Sequence, residues 1–261
     1  MSPKEAFPKQ KEAAQRALEI DPLLAEGYAE LGYAAMIYDW DWQKSEKYLK
    51  RALELNPNSQ WAHFHYAHLL SLVCRNEEAI AMQQRLLELD PLNPESHWNM
   101  GWVFFWARQY DESMAVFKKL QELSPEDHWL QMALGVIYTI KDQPEEALAM
   151  CDKARAGVPI GIDIQFDTYT AYIYAKAKKR EKALEIMTQL KQMSSERIID
   201  SVLISGDYTT LGDIEEAIVW LEKGFQEHSP MLVYLKVAPF WKPLYADPRC
   251  QNILRRLNFP E

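Results

Sequence analysis

The stretch LELNPNSQWAHFHYAHLLSLVCRNEEAIAMQQRLLELDP, residues 53–91, decides the fold. It opens on LELNP and closes on LELDP, and between these near-copies lie two runs of helix formers parted at Arg75-Asn76. The same mark recurs on either side. Pro22 in LEIDP, Pro57, Pro91, Pro125 in ELSP and Pro159 in AGVP stand 35, 34, 34 and 34 residues apart. Twelve residues before each of the last four prolines sits a small residue, Ser45, Ala79, Ser113 or Ala147, and Ala183 and Ala217 continue the series at a spacing of 34. A fixed period of this length is the mark of stacked supersecondary units. Breaks at Tyr38-Asp39, Arg75-Asn76, Gln109-Tyr110, Lys141-Asp142, Lys178-Lys179 and Leu211-Gly212 divide each unit into two helices. The small residue lets the two backbones approach, and the proline ends the second helix because it cannot continue the hydrogen-bond ladder.

Composition agrees with helices throughout. Of 261 residues 48% are hydrophobic and 26% charged, and the 9 glycines are about half the usual share of roughly 7%. Few turns and many helix formers imply an all-α chain. Apolar stretches such as Trp102 to Ala107 fall far short of the roughly 18 residues a membrane span needs. The start, MSPKEAFPKQKE, lacks the apolar core of a signal peptide, so a cytoplasmic location is expected. A net charge of −9 and a pI near 5.3 would repel phosphate backbones, which excludes nucleic acid as an expected partner. Cys74, Cys151 and Cys250 are odd in number and far apart, which suits reduced thiols rather than a disulfide framework.

These residues resemble the tetratricopeptide repeat (TPR) family, whose 34-residue pattern runs from a bulky residue through Leu-Gly and an aromatic to Ala and a closing Pro. The first unit supplies Tyr28, Leu31, Gly32, Ser45, Leu49, Ala52 and Pro57, and the second His63, Tyr66, Ala67, Leu70, Ala79, Leu86 and Pro91. The third gives His97, Met100, Gly101, Phe104, Ser113, Phe117, Leu120 and Pro125, and the fourth Gln131, Leu134, Gly135, Tyr138, Ala147, Cys151, Ala154 and Pro159. Weaker fifth and sixth units carry Ala171, Tyr174, Ala183, Met187, Leu190 and then Ile204, Tyr208, Ala217, Leu221, Gly224, with Ser195 and Ser229 in place of the final proline.

The resemblance covers residues 9–229 and implies a right-handed superhelical TPR solenoid of antiparallel helix pairs. The expected organisation is a single domain over 1–261, with a partial repeat at 1–22, about six repeats from 25–58 onward to 229, and a C-terminal cap over 230–261. One extra residue is assigned to the YDWDW turn of the first unit and two to GVPIGID before the fifth. Residues 9–20 read as the second helix of a repeat whose first helix is absent. That segment, the first unit and the closing stretch HSPMLVYLKVAPFWKPLYADPRCQNILRRL also resemble the C-terminal repeat region of multidomain bacterial signalling proteins, so an excised fragment is favoured over a free-standing relative. Asp247-Pro248 supplies an N-cap and first-turn proline for a last helix whose Ile253, Leu254 and Leu257 are expected to cover the sixth unit.

No Gly-rich phosphate loop, G-x-S-x-G elbow or H-E-x-x-H occurs, and the carboxylates mostly alternate with Lys and Arg as solvated helix faces do. No catalytic residue, cofactor or enzymatic activity is expected. In HFHYAH, His65 and His68 are helix neighbours, but His63 lies about 200° from His65. A metal site is therefore not expected: His63 takes the bulky packing position, with His65 and His68 exposed or in the groove.

The aromatic residues carry the functional signal. Trp98, Trp102, Phe105 and Trp106 fall within an arc of roughly 100° on one helix, beside a separate packing stripe of His97, Met100, Gly101 and Phe104. In the TPR family first helices line a concave groove, and the resemblance places there Tyr33, Met36 and Ile37, then Trp61, Phe64 and His68, the Trp98 stripe, then Trp129, Met132 and Val136, and Tyr172. So large an aromatic area would need covering by a partner, although neighbouring first helices also bury such faces. For Trp98 and Trp106 the two readings stand level. Trp40 and Trp42 are expected to plug the inter-helix turn locally. TPR domains that hold carboxylates use Lys, Asn and Arg where this chain has Ala29, Tyr33, Phe64, His68, Trp98 and Trp102. The expected partner is therefore a protein or peptide with an apolar or aromatic segment, helical or extended, with tryptophans as hot spots. The alternatives are self-association into a homo-oligomer and a small-ligand or sugar-sensing region of a larger signalling protein.

Overall fold

Each proline-marked period forms a helix, a left-handed turn and a second helix. The computed structural model describes residues 1–194 and 199–260, so Ser195 lies outside the described residues. Among the described residues there is no strand. After α1 (Pro3–Ile20) come the pairs α2 (Ala25–Ala34) and α3 (Trp42–Leu55), α4 (Gln60–Leu72) and α5 (Asn76–Leu89), α6 (Pro94–Trp106) and α7 (Tyr110–Leu123), α8 (His128–Ile140) and α9 (Pro144–Arg155), α10 (Ile164–Lys176) and α11 (Arg180–Met193), and α12 (Ser201–Leu211) and α13 (Ile214–Glu227). Two 3-10 segments, Pro230–Tyr234 and Pro239–Ala246, lead to α14 (Pro248–Arg256). No helix is long and apolar enough to cross a membrane among the described residues.

The turn inside each pair has one geometry. Trp40, Cys74, Arg108, Asp142, Lys178 and Gly212 all have positive φ, between 54° and 81°. The next backbone N–H then reaches back five residues, Arg75 to Leu70 O at 2.8 Å, Gln143 to Tyr138 O at 2.9 Å, Lys179 to Tyr174 O at 2.8 Å and Asp213 to Tyr208 O at 3.0 Å, satisfying a helix-end carbonyl. Gly212 alone takes this backbone without a Cβ penalty.

This register also relocates the first unit's extra residue. Trp40 stands eight residues after Gly32, whereas Cys74, Arg108 and Asp142 stand seven after Ala67, Gly101 and Gly135. The insertion lies ahead of the YDWDW turn's Trp40, at the end of the first helix. Ala35–Asp39 form a π-helical turn and the Asp41 N–H reaches Ala35 O at 2.9 Å. A wider turn absorbs one residue while keeping its backbone groups bonded. The fifth unit's two extra residues fall between Arg155 and Ile164, in a loop where Gly157 and Gly161 have φ of 79° and 89°.

The chain divides into two compact units, Met1–Arg108 with Phe225–Ala238 and Gln251–Glu261, and Gln109–Gly224 with Pro239–Cys250. In the first, α1 begins at Pro3, earlier than residue 9, because Ser2 and Glu5 form a capping box and Phe7 is buried in a stack on Tyr38, centroids 5.1 Å apart. Ser45 Oγ donates to Gly32 O at 2.8 Å, and a Cβ on Gly32 would lie 2.7 Å from Leu49 Cγ. The small residues thus do close α2 onto α3. The core gathers Met36, Ile37, Leu49, Leu69, Leu70 and Leu72, and Val233 and Val237 from the C-terminal segment pack into it.

In the second unit, Gly135 backs onto Ala147 O and Ile173, and Trp241 lies over Gly206 of α12. Trp241 thus covers α12, a part expected of Ile253, Leu254 and Leu257 in the last helix. From α14, Arg249 pairs with Glu215 of α13 at 2.9 Å and Arg256 lies 4.0 Å from the centre of the Phe225 ring, while Leu257 O accepts from Trp42 Nε1 at 2.8 Å and Phe259 stacks on Trp42 at 4.6 Å. Trp40 likewise stacks on His228 at 4.8 Å. These tryptophans are therefore not a local plug. An indole in a short turn has too little neighbouring chain to bury it, and the C-terminal segments supply that cover.

Candidate interaction surface

A polar side chain at one repeat position ties the first helix of each of the first five pairs to the loop before it. His63 Nε2 lies 2.8 Å from Pro57 O and His97 Nε2 2.9 Å from Pro91 O. Gln131 Nε2 donates to Pro125 O at 2.7 Å, and Tyr28 OH to Pro22 O at 3.4 Å. In the fifth unit the polarity reverses. Asp167 Oδ2 accepts from the Gly161 N–H at 2.6 Å while Arg155 Nη1 holds Oδ1 at 2.5 Å. Burial pushes the Asp167 carboxyl up, opposed by these two donors. In all five units the backbone partner is six residues upstream, so His63 Nε2 is spent on its own loop. Sequence reasoning missed this latch, although a polar residue at a bulky packing position in four consecutive units was its visible sign.

The other histidines of HFHYAH have different surroundings. His65, buried, lies 4.5 Å from the ring of Tyr33 and 4.5 Å from that of Trp61, and neither ring nitrogen has a hydrogen-bond partner. Burial, followed by the charge of His68, lowers its pKa to about 3. His68 Nε2 is 2.8 Å from Tyr234 OH, and burial lowers its pKa to about 4. Both rings are neutral at neutral pH. Among the described residues no three His, Cys, Asp or Glu side chains converge as metal donors.

In the first compact unit the predicted groove residues of α4 and α6 form a continuous ladder of rings. Trp61 lies 5.9 Å from Phe64, Phe64 6.1 Å from His68, His68 5.3 Å from Trp106, Trp106 6.2 Å from Trp102 and Trp102 5.8 Å from Trp98. Tyr234 packs on His68 at 5.4 Å and on Trp106 at 5.5 Å. Its neighbours Leu232, Val233 and Leu235 are buried, so at the centre of the ladder the chain's own C-terminal segment covers the rings. In the second unit Trp129 meets Phe166 edge-on at 5.4 Å, and Tyr172 meets Phe240 of the tail edge-on at 4.7 Å.

Exposure divides the eleven residues. Trp61, at 43%, is the only exposed aromatic among the described residues. Tyr33, Phe64, Trp98, Trp102, Trp106 and Trp129 are half-buried. His68, Phe105, Met132 and Tyr172 are buried, with 6%, 2%, 0% and 6% exposure. The reason is the helices themselves: α4 buries residues around nearly its whole circumference, as a helix apolar all round does. Trp61 escapes at the first turn of α4, where its Nε1 donates to Glu30 Oε1 at 2.8 Å. Gln10 Nε2 donates to the other Glu30 oxygen at 2.5 Å. Neither Glu30 nor Gln10 was singled out in the sequence, since their pairing with Trp61 joins three helices.

Residues 24–159 match the model of the family described as Iml2/tetratricopeptide repeat protein 39. Among solved structures, the chain is similar to a tetratricopeptide repeat protein from Parabacteroides merdae ATCC 43184, with 14% identity, a TM-score of 0.64, and 98% of this chain and 93% of that one covered. It is also similar to a chain of the APC/C hetero-tetramer Cut9–Hcn1, with 15% identity, a TM-score of 0.63, and 97% and 46% covered. MamA from Desulfovibrio magneticus RS-1, residues 41 to the end, gives 17% identity and a TM-score of 0.50 over 67% and 97%. At such identities the likeness is one of fold. No curated protein matches the chain.

Proposed function

We propose that this chain, which belongs to the Iml2/tetratricopeptide repeat protein 39 family, is a non-enzymatic protein-interaction scaffold that binds a partner segment on the aromatic surface of α2, α4 and α6. The observation that carries this reading is Trp61. A large indole left exposed at 43%, yet fixed by a 2.8 Å hydrogen bond to Glu30, has little rotamer freedom left to lose on binding. Tryptophans of this kind dominate interface energetics. Tyr33, Phe64, Trp98 and Trp102 form the half-buried continuation of that surface, while His68, Phe105 and Trp106 support it from beneath. Trp129, Met132 and Tyr172 play the corresponding parts in the second unit. The resemblance to repeat regions of bacterial signalling proteins fits a role of this kind.

The test is recovery of a partner by affinity purification with the wild-type chain and with Trp61→Ala and Trp102→Ala combined. Loss of the partner from the variant, with its melting temperature within a few degrees of wild type, is expected. Undiminished recovery with the variant overturns the proposal.

A further inference from the structure

Trp220 and Trp61 each donate an indole N–H to a glutamate, and a lysine covers the ring of Trp220 but not that of Trp61. In α13, Trp220 Nε1 donates to Glu216 Oε2 at 3.2 Å and Lys223 Nζ stands 4.5 Å from the centre of the Trp220 ring. Here the carboxylate orients the indole and the ammonium covers its face, and Trp220 is buried, 7% exposed. At the first turn of α4 the same pair recurs in Trp61 and Glu30. Among the described residues, Lys or Arg groups lie over the rings of Tyr48, Tyr138, Phe166, Tyr174, Tyr208, Phe225 and Phe259, but none lies over Trp61.

The flanking helices place none there. Helix α4, QWAHFHYAHLLSL, carries no charged residue, and α2, AEGYAELGYA, carries only Glu26 and Glu30. Of the cations of α1, Lys11 is paired with Asp39 at 2.7 Å and Arg16 with Glu12 at 2.6 Å, and neither they nor Lys4 and Lys9 lie over Trp61. The two side chains that donate to Glu30, Gln10 and Trp61, are neutral, so its charge is hydrogen-bonded without being balanced. A cation over an aromatic face is attracted by the ring quadrupole, and an adjacent carboxylate adds a charge-assisted hydrogen bond.

We infer that the Trp61–Glu30 pair is a receptor for a basic side chain, so that the partner segment presents an Arg or Lys lying on the Trp61 ring and reaching the Glu30 carboxylate. This rests on the scaffold reading above and gives the partner its chemistry: apolar residues for the ladder, with a guanidinium or ammonium at the Trp61 end.

The test uses the full chain labelled with nitrogen-15, the Trp61 indole resonance being assigned with Trp61→Phe. The probes are acetyl-Leu-Arg-Leu-Arg-amide and its citrulline counterpart, which keeps the shape and loses the charge. The Arg peptide should move the Trp61 resonance and bind about fivefold or more tightly than the citrulline peptide. Glu30→Gln, whose amide oxygen still accepts from the indole, should shrink that difference while the other indole resonances stay in place. Equal binding of the two peptides, or no shift of Trp61 with either, overturns the inference. Partner recovery that depends on Trp61 but is indifferent to Glu30→Gln overturns it too, and leaves the scaffold reading standing.

Discussion

His63 and Gln131 perform one task with different chemistry. Each holds the carbonyl of the proline six residues upstream, at 2.8 and 2.7 Å, so the repeat requires a donor of a certain reach rather than a particular residue. His63→Gln should therefore be nearly neutral, while His63→Leu leaves Pro57 O without its donor and should cost about 1–3 kcal/mol. Urea unfolding of the two variants distinguishes a latch from simple bulk: equal losses would show that packing alone matters at this position. The left-handed turn position allows a second substitution. Lys178 is exposed with φ 61°, a conformation costing an L-residue roughly 1–2 kcal/mol, of which glycine returns part as unfolded-chain entropy. Lys178→Gly should raise stability by about 0.5 kcal/mol, and a lower urea midpoint would contradict this.

Helix α4 carries an acid sensitivity in its two buried histidines. His65 and His68 have folded pKa values of about 3 and about 4 against an ordinary 6.5, both because burial penalises the imidazolium. Folded values below the unfolded one mean that the neutral rings' contribution is fully present above pH 6.5 and is lost as pH falls toward 4. At about 1.4 kcal/mol per pKa unit, the loss for His68 alone is on the order of 3 kcal/mol by pH 4. Urea midpoints should fall steeply between pH 6.5 and 4, and the double variant His65→Gln and His68→Gln should flatten that slope. An unchanged slope would assign the acid response to other groups. The same element joins the C-terminal segment through Tyr234 OH, 2.8 Å from His68 Nε2. Tyr234→Phe keeps the ring stack and should cost about 1 kcal/mol through the lost hydrogen bond, read as a lower melting temperature.

Across the whole molecule, the proline period and its small residues were enough to read helices, pairs and turns, because those are set by contacts within a few dozen residues. The π-turn at Ala35–Asp39 was legible in principle, since Gly32 and Trp40 are one residue further apart than their counterparts. The destination of the tail was not. No local pattern tells Leu257 to accept from Trp42 or Tyr234 to cover His68 and Trp106. The same blindness made Trp40 and Trp42 look local and hid Glu30 behind Trp61. This has an energetic consequence. In a simple repeat array each unit touches only its neighbours, and stability is a sum of nearest-neighbour terms. Here the first compact unit includes Phe225–Ala238 and Gln251–Glu261, so the N-terminal pairs depend on residues about two hundred positions away in the chain. A truncation ending at Gly224 tests which description holds. Nearest-neighbour stacking predicts faster amide exchange in α12 and α13 alone. Removal of the cover from Trp40, Trp42, His68 and Trp106 predicts faster exchange in α3 and α4 as well, because Val233 and Val237 leave the core that Leu49, Leu69 and Leu72 share with them. Exchange in α3 and α4 that matches the intact chain would show that the N-terminal pairs hold together without the tail.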